Sequence, residues 1–319
     1  MRTAAMVSDL ETPGTPAPQR LRFSFSAVDT VALTWGQPED PVALLIHGFP
    51  DSAWTWSEVA PAIAEQGWYV VAPFTRGYAP SSLAYDDDYS IGSLVDDVVN
   101  IYRAVGADCR ATIIGHDWGG AIASAVAATH PQLFARAVLI AIPPLAAIRD
   151  LANPRKLLKR LWVLARQAPR SWYMPVVSVP ALSDAAGERL IATLWDRWTS
   201  TELAPYREQG MNALGSRARR RAAFSYYRAV WNPYYRRTPS HRAVQRSSFN
   251  PPGIPTLYLQ GAADTCGLVH TGAHAMDHMP AGSQRVVIAA AGHFAHLESP
   301  QIVTQHILDF LKETSHEAS

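Results

Sequence analysis

The sequence is poor in the features that mark a secreted, membrane-spanning or metal-held protein. Only two cysteines, Cys109 and Cys266, occur in 319 residues. That is too few for a disulfide framework, and it points to a reducing compartment. No apolar run reaches the roughly 18 residues that a bilayer span requires. The opening residues include Asp9, Glu11 and several prolines in place of an unbroken apolar stretch, so no signal peptide is expected. Net charge is only +1, which gives no bulk pull toward nucleic acid or anionic membranes. The Asp and His spacings match no metal motif, so no metal is expected. A cytoplasmic protein follows, with no membrane insertion and a flexible N-terminal tail over residues 1–20.

What is present is globular composition, with 48% hydrophobic and 17% charged residues. The length suits one domain plus a sizeable insertion. Short apolar runs alternate with helical patterns, the rhythm of a parallel α/β sheet. Strands are predicted at residues 21–28 and 31–35, with a turn at Asp29 and Thr30 between them. Further strands are predicted at 42–46, 68–72, 111–114, 137–142, 256–260 and 285–289. Helices are predicted at 93–105, with acids early and Arg103 late, at 119–130, and at 302–311.

The rhythm breaks at Pro143. Residues 144–248 hold no buried-strand run and are rich in Trp, Tyr and Arg. The predicted organisation is therefore a core of residues 21–143 and 249–319 interrupted by a helical cap of residues 144–248. Charge follows the same division. Residues 149–246 hold 19 Lys/Arg against 6 Asp/Glu, and the remainder holds 9 against 21. Opposite balances should draw the cap toward its base, although exposed pairs are individually weak. The basic run Arg217, Arg219, Arg220 and Arg221 reads as a solvated helix face, and no nucleic-acid partner is expected.

One segment carries chemistry. Gly115-His116-Asp117-Trp118-Gly119-Gly120 lies between a predicted strand and a predicted helix. A Gly-x-nucleophile-x-Gly turn there is a nucleophile elbow, which lifts its central side chain to the top of a sheet. The central residue is Asp117. A carboxylate needs no prior deprotonation and forms an ester on attacking carbon. The following helix aims its N-terminus at the same point, which favours negative charge. The alternative for Asp117 is a helix N-cap.

In elbow proteins the chain order is nucleophile, acid, histidine. Asp264 follows the strand predicted at 256–260, and His293 follows the one at 285–289, behind Gly292. His296 is the local competitor, and His116 is assigned a structural role. After the strand at 137–142 no carboxylate is at hand, which leaves Asp264 as the acid. The backbone N–H groups of Phe49 and Trp118 would form the oxyanion hole.

These segments resemble the soluble epoxide hydrolase family of the α/β-hydrolase superfamily. The matching stretches are His47-Gly48-Phe49-Pro50-Asp51-Ser52, Arg76-Gly77-Tyr78, the elbow, and Gly292-His293-Phe294-Ala295-His296-Leu297-Glu298. The resemblance implies an α/β-hydrolase fold, a mostly parallel eight-stranded sheet under a helical cap. It implies Asp117 as nucleophile, His293 as general base, Asp264 as orienting acid, and no cofactor. It also implies two cap tyrosines that protonate the epoxide oxygen. The matching residues are Tyr173, in Ser171-Trp172-Tyr173-Met174, and Tyr227, before Arg228; Tyr226 and Tyr206 are their competitors. A phenol with a pKa of about 10 keeps its proton at neutral pH and can supply it.

Phe49, Trp54, Trp118 and Phe294 are expected to line the substrate pocket, and Trp56, Trp172 and Trp231 are further candidates. The family often has an acid before Arg-Gly-Tyr, where this chain has Phe74-Thr75. The expected reaction turns a small-molecule epoxide and water into a vicinal diol in a monomer or homodimer. A haloalkane or haloacetate dehalogenase would use the same aspartate, but Phe49 offers no side-chain N–H for a halide, and Trp118 stands where haloacetate dehalogenases carry arginine. A non-catalytic ligand-binding protein of this fold is the remaining alternative.

Overall fold

Continuous apolar runs have both faces to bury, so they belong in the middle of a parallel sheet. The computed structural model describes residues 17–151, 157–199, 203–232, 235 and 238–312. Residues 1–16 of the tail expectation lie outside this set, and its last two residues, Gln19 and Arg20, are corrected to strand, paired with Thr34 and Leu33. The chain opens with β1 (Gln19–Ser24), β2 (Asp29–Trp35), β3 (Val42–Ile46), α1 (Ala60–Ala64) and β4 (Tyr69–Pro73). It continues through α2 (Ile91–Ala104), β5 (Thr112–His116), α3 (Trp118–Thr129) and β6 (Arg136–Ile140). Seven helices follow: α4 (Leu145–Leu151), α5 (Leu157–Gln167), α6 (Tyr173–Ser178), α7 (Pro180–Trp198), α8 (Ala204–Ala213), α9 (Arg217–Trp231) and α10 (Pro239–Ser247). The sheet resumes with β7 (Thr256–Gly261) and β8 (Gln284–Ile288), and α11 (Ala295–Glu298) and α12 (Pro300–Lys312) close the chain.

Among the described residues, eight strands form one sheet in the order β1-β2-β4-β3-β5-β6-β7-β8. The β1/β2 and β2/β4 pairs are antiparallel and the rest parallel. Strands β3, β5 and β6 are buried at every residue. One apolar cluster gathers α2, α3 and residues of α6, α7 and α9, and a second gathers α1, α12 and the opposite strand faces. In such sheets ligands collect beyond the carboxyl ends of the strands, where the connections diverge to either side. Here the chain leaves β3 toward β4 on one side while β5 lies on the other.

Two local expectations are corrected. The first turn lies at Phe25–Val28, closed by Phe25 N–H donating to Val28 O (3.0 Å), so β2 already begins at Asp29. Helix α2 has no acid in its first turn; Ser90 caps it, and Asp97 serves another purpose. The Arg76 Nε and Nη2 groups donate to the two Asp97 oxygens at 2.6 Å each, and Nη1 donates to Asp88 O at 2.5 Å. This buried guanidinium fastens the loop after β4 to α2.

The inserted helices hang on that same loop. Tyr226 Oη donates to Arg76 O (2.8 Å) and Arg219 Nη1 donates to Ser81 O (2.7 Å). The basic run of α9 is thus not wholly a solvated face, although Arg217 and Arg221 do pair with Asp184 near solvent. From α10, His241 places Nδ1 and Nε2 each 2.8 Å from a carboxylate, Asp88 and Asp96 respectively.

Candidate active site

The elbow is a strained turn. Asp117 holds φ 50°, ψ −118°, a conformation rare for a residue with a side chain. The glycines make room for it: a Cβ at Gly120 would meet Ile142 Cγ2 at 2.5 Å, and one at Gly48 would meet Asp117 Cβ at 2.5 Å. The strain lifts the Asp117 carboxylate off the end of β5 toward the loop after β3. There Phe49 N–H donates to Asp117 Oδ1 at 2.9 Å. Burial pushes the Asp117 pKa above the usual carboxylate range, against the pull of His293 and of the Phe49 and Trp118 N–H groups.

The other two polar groups arrive from neighbouring strands. His293 Nδ1 lies 3.1 Å from Asp264 Oδ2, and His293 Nε2 lies 3.7 Å from Asp117 Oδ2. Asp264 is saturated with donors: Cys266 N–H (2.7 Å) and Gly267 N–H (2.8 Å) on Oδ1, and Gln260 Nε2 (2.6 Å) on Oδ2. A carboxylate so held fixes the imidazole with Nδ1 protonated and leaves Nε2 facing Asp117. Burial disfavours the charged imidazole, but Asp264 and Asp117 outweigh it and the His293 pKa is raised overall.

The roof comes from the inserted helices. Tyr173 begins α6 and Tyr227 lies in α9, their rings 5.7 Å apart. The Tyr227 ring is 5.5 Å from Phe49 and 5.0 Å from Trp118. Its hydroxyl is buried without a hydrogen-bond partner among the described residues. The Tyr173 hydroxyl lies 3.8 Å from Cys266 Sγ. Burial pushes both phenols well above 10, so both stay protonated. The competitors sit elsewhere: Tyr226 bonds to Arg76 O, and Tyr206 bonds to Glu58.

Of the expected pocket aromatics, Phe49, Trp118 and Phe294 are at the site. Trp54 is not. It lies in the cluster on the opposite side of the sheet, with the Arg20 guanidinium over its ring at 5.8 Å. Trp56 is buried there too, and Trp172 is exposed. The Trp231 side chain lies outside the described residues. In their place stands Trp198, 5.0 Å from His293 and 5.2 Å from Tyr173. Trp195 stacks on Phe294 at 4.3 Å. Nothing local distinguishes these two tryptophans in the sequence; their position in the amphipathic α7 is the only signal.

Beneath the site lies a second polar group. His116 Nε2 bonds to His293 O (3.0 Å), and Thr55 Oγ1 bonds to His296 Nε2 (2.5 Å). Both histidines are buried and held neutral, the His296 pKa falling to about 3, while burial lifts Asp51 to about 7. Two sets of side chains bring metal-ligating atoms within 4.8 Å of one another: Asp51, His116 and His296, and Asp117, Cys266 and His293.

Comparison with known proteins bears on the fold and the family. The chain is 28% identical over 283 residues to the AB hydrolase superfamily protein YfhM of Bacillus subtilis, covering 87% of this chain and 92% of that one. It is 38% identical over 111 residues to epoxide hydrolase A of Mycobacterium tuberculosis, a match that spans 34% of either chain. The crystal structure of epoxide hydrolase A from Mycobacterium thermoresistibile superposes with a TM-score of 0.72 at 24% identity, over 93% of this chain and 98% of that one, which shows a shared fold. No described helix is long and apolar enough to cross a membrane. The profile of the alpha/beta hydrolase fold family matches residues 41–300, and the chain belongs to that family.

Proposed function

We propose that this protein is an epoxide hydrolase working through a covalent aspartyl ester. The observation that carries the reading is the pair of buried, protonated phenols of Tyr173 and Tyr227 roofing Asp117, with Tyr227 Oη still unpartnered. Epoxide opening releases an alkoxide, which a site without a proton donor cannot accommodate.

Oδ1 of Asp117 is engaged by Phe49 N–H, so Oδ2 is the attacking oxygen. Oδ2 bonds to an epoxide carbon as the C–O bond breaks, and a tyrosine proton passes to the departing oxygen. The product is a hydroxyalkyl ester. His293 Nε2, with Asp264 bracing Nδ1, takes a proton from water, and the hydroxide adds to the ester carbonyl. Phe49 and Trp118 N–H groups hold the resulting oxyanion, an arrangement worth about 3 kcal/mol per donor in comparable sites. The acyl C–O bond then breaks, the departing diol oxygen takes the proton from His293, and the proton left on the Asp117 carboxyl returns to the tyrosinate, which restores both Asp117 and the tyrosine. Residues 144–248 act as the cap that keeps bulk water out.

The direct test is incubation with styrene oxide and, separately, with 1-chlorobutane. Diol without chloride is expected. Chloride without diol would replace this reading with a dehalogenase, and neither product would favour a binding protein.

A further inference from the structure

The chemistry proposed above has no use for Cys266, yet its thiol is set against that machinery. Cys266 is one of two cysteines, and it is buried while Cys109 is exposed. Its backbone is pinned on both sides: its N–H donates to Asp264 Oδ1, and its carbonyl accepts from Gln167 Nε2 at 2.8 Å. The sulfur is therefore presented in a fixed place beside Tyr173 Oη. Cys266, Asp117 and His293 offer a sulfur, a carboxylate oxygen and an imidazole nitrogen within 4.8 Å of one another. The nitrogen, His293 Nε2, is buried and has no hydrogen-bond partner among the described residues.

We infer that Asp117, Cys266 and His293 form an inhibitory binding site for a borderline-soft divalent cation of the Zn2+ or Cd2+ class. The donor set decides the class. Sulfur with imidazole nitrogen and one carboxylate suits zinc and its heavier congener, whereas Mg2+ and Ca2+ ask for oxygen alone. Charge favours it as well. The Cys266 thiol releases its proton to solvent as the metal–sulfur bond forms, and thiolate plus carboxylate then neutralise a 2+ ion out of contact with bulk water. A tetrahedral ion with bonds of about 2.0–2.3 Å asks for ligand separations of roughly 3.5 Å, so the three side chains draw inward by about 1 Å. The fourth position is left to water. A bound ion engages both the attacking carboxylate and the base nitrogen, and it competes with substrate.

The test uses the full-length chain and two independent readouts. One is styrene oxide turnover with added ZnCl2, followed by EDTA. The other, in the absence of substrate, is the ultraviolet thiolate-to-Cd2+ charge-transfer band, which needs no activity and so survives even if styrene oxide is not turned over. The expected result is one Cd2+ per chain, reversible loss of activity with Zn2+, and no loss with equal Mg2+. Cys109→Ser keeps the band. Cys266→Ser loses it and raises the Zn2+ concentration for half-inhibition by about tenfold or more, no less than a lost outer ligand costs other sites. Should that variant fail to fold, Asp117→Asn keeps the thiol and is expected to weaken Cd2+ binding by a similar factor. A band that survives Cys266→Ser, disappears in Cys109→Ser or is indifferent to Asp117→Asn overturns the inference, as does equal inhibition by Mg2+.

Discussion

The sheet and the inserted helices contribute to the site in different ways. The sheet side delivers Asp117, Asp264 and His293 from turns immediately after β5, β7 and β8, each braced by backbone donors or by a second carboxylate. The inserted helices deliver Tyr173 from the start of α6 and Tyr227 from within α9, held by ring packing, with one hydroxyl unpartnered among the described residues. The rigid half is built for chemistry that any electrophilic carbon could undergo. On the proposed function, the packed half selects what is attacked. The comparison therefore separates reaction type from substrate class, and each half can be broken on its own.

The largest effect is expected on the sheet side. Asp117→Ala should lower diol formation by on the order of 10⁴-fold or more, because it removes the group that becomes the intermediate. His293→Gln should instead stop after one turnover, with about one equivalent of ester trapped on each chain, read by intact-protein mass spectrometry. Breaking the inserted half should cost less. Tyr173→Phe and Tyr227→Phe should each slow ring opening by about 10²–10⁴-fold in single-turnover experiments, with ester hydrolysis unchanged. If neither does, the phenols are packing groups and the substrate class is open again.

The seam between the halves comes next. Asp97→Ala leaves the buried Arg76 guanidinium without its bidentate partner and should destabilise the fold by about 3–5 kcal/mol in urea titration. The smallest effect belongs to His241. Its burial opposes charge, but the hydrogen bonds to Asp88 and Asp96 prevail, and its pKa is raised above 6.5. Its contribution is therefore fully present below pH 6.5 and is lost as pH rises through the raised value. It should be about 1 kcal/mol, since Asp96 is half exposed. His241→Gln should remove that slope from a plot of stability against pH. His293 gives activity the opposite trend: ester hydrolysis should increase with pH as the imidazole loses its proton, at a midpoint below that of the free protein, because the ester no longer carries the Asp117 charge that helps to raise the His293 pKa.

The same division explains what could be read from sequence. Asp117, Asp264 and His293 follow apolar strands directly, behind or among glycines, so a short stretch of chain marks them. Gly115 and Gly119 announce the strained turn because nothing larger fits. Trp54 carries no mark of which sheet face it serves, and it packs on the side away from the site. Trp195, Trp198 and Cys266 were missed because only the way α7 and the loop after β7 come together brings them to Asp117 and His293. Where Phe74-Thr75 precede Arg76, the carboxylate partner of the guanidinium comes from α2, 21 residues later.

The central claim is that water is delivered to the aspartyl carbonyl and not to the epoxide. Many turnovers of styrene oxide in heavy-oxygen water, followed by digestion, test it directly. Heavy oxygen is expected in the peptide that contains Asp117. An unlabelled peptide beside labelled diol would mean direct attack by water and would contradict it.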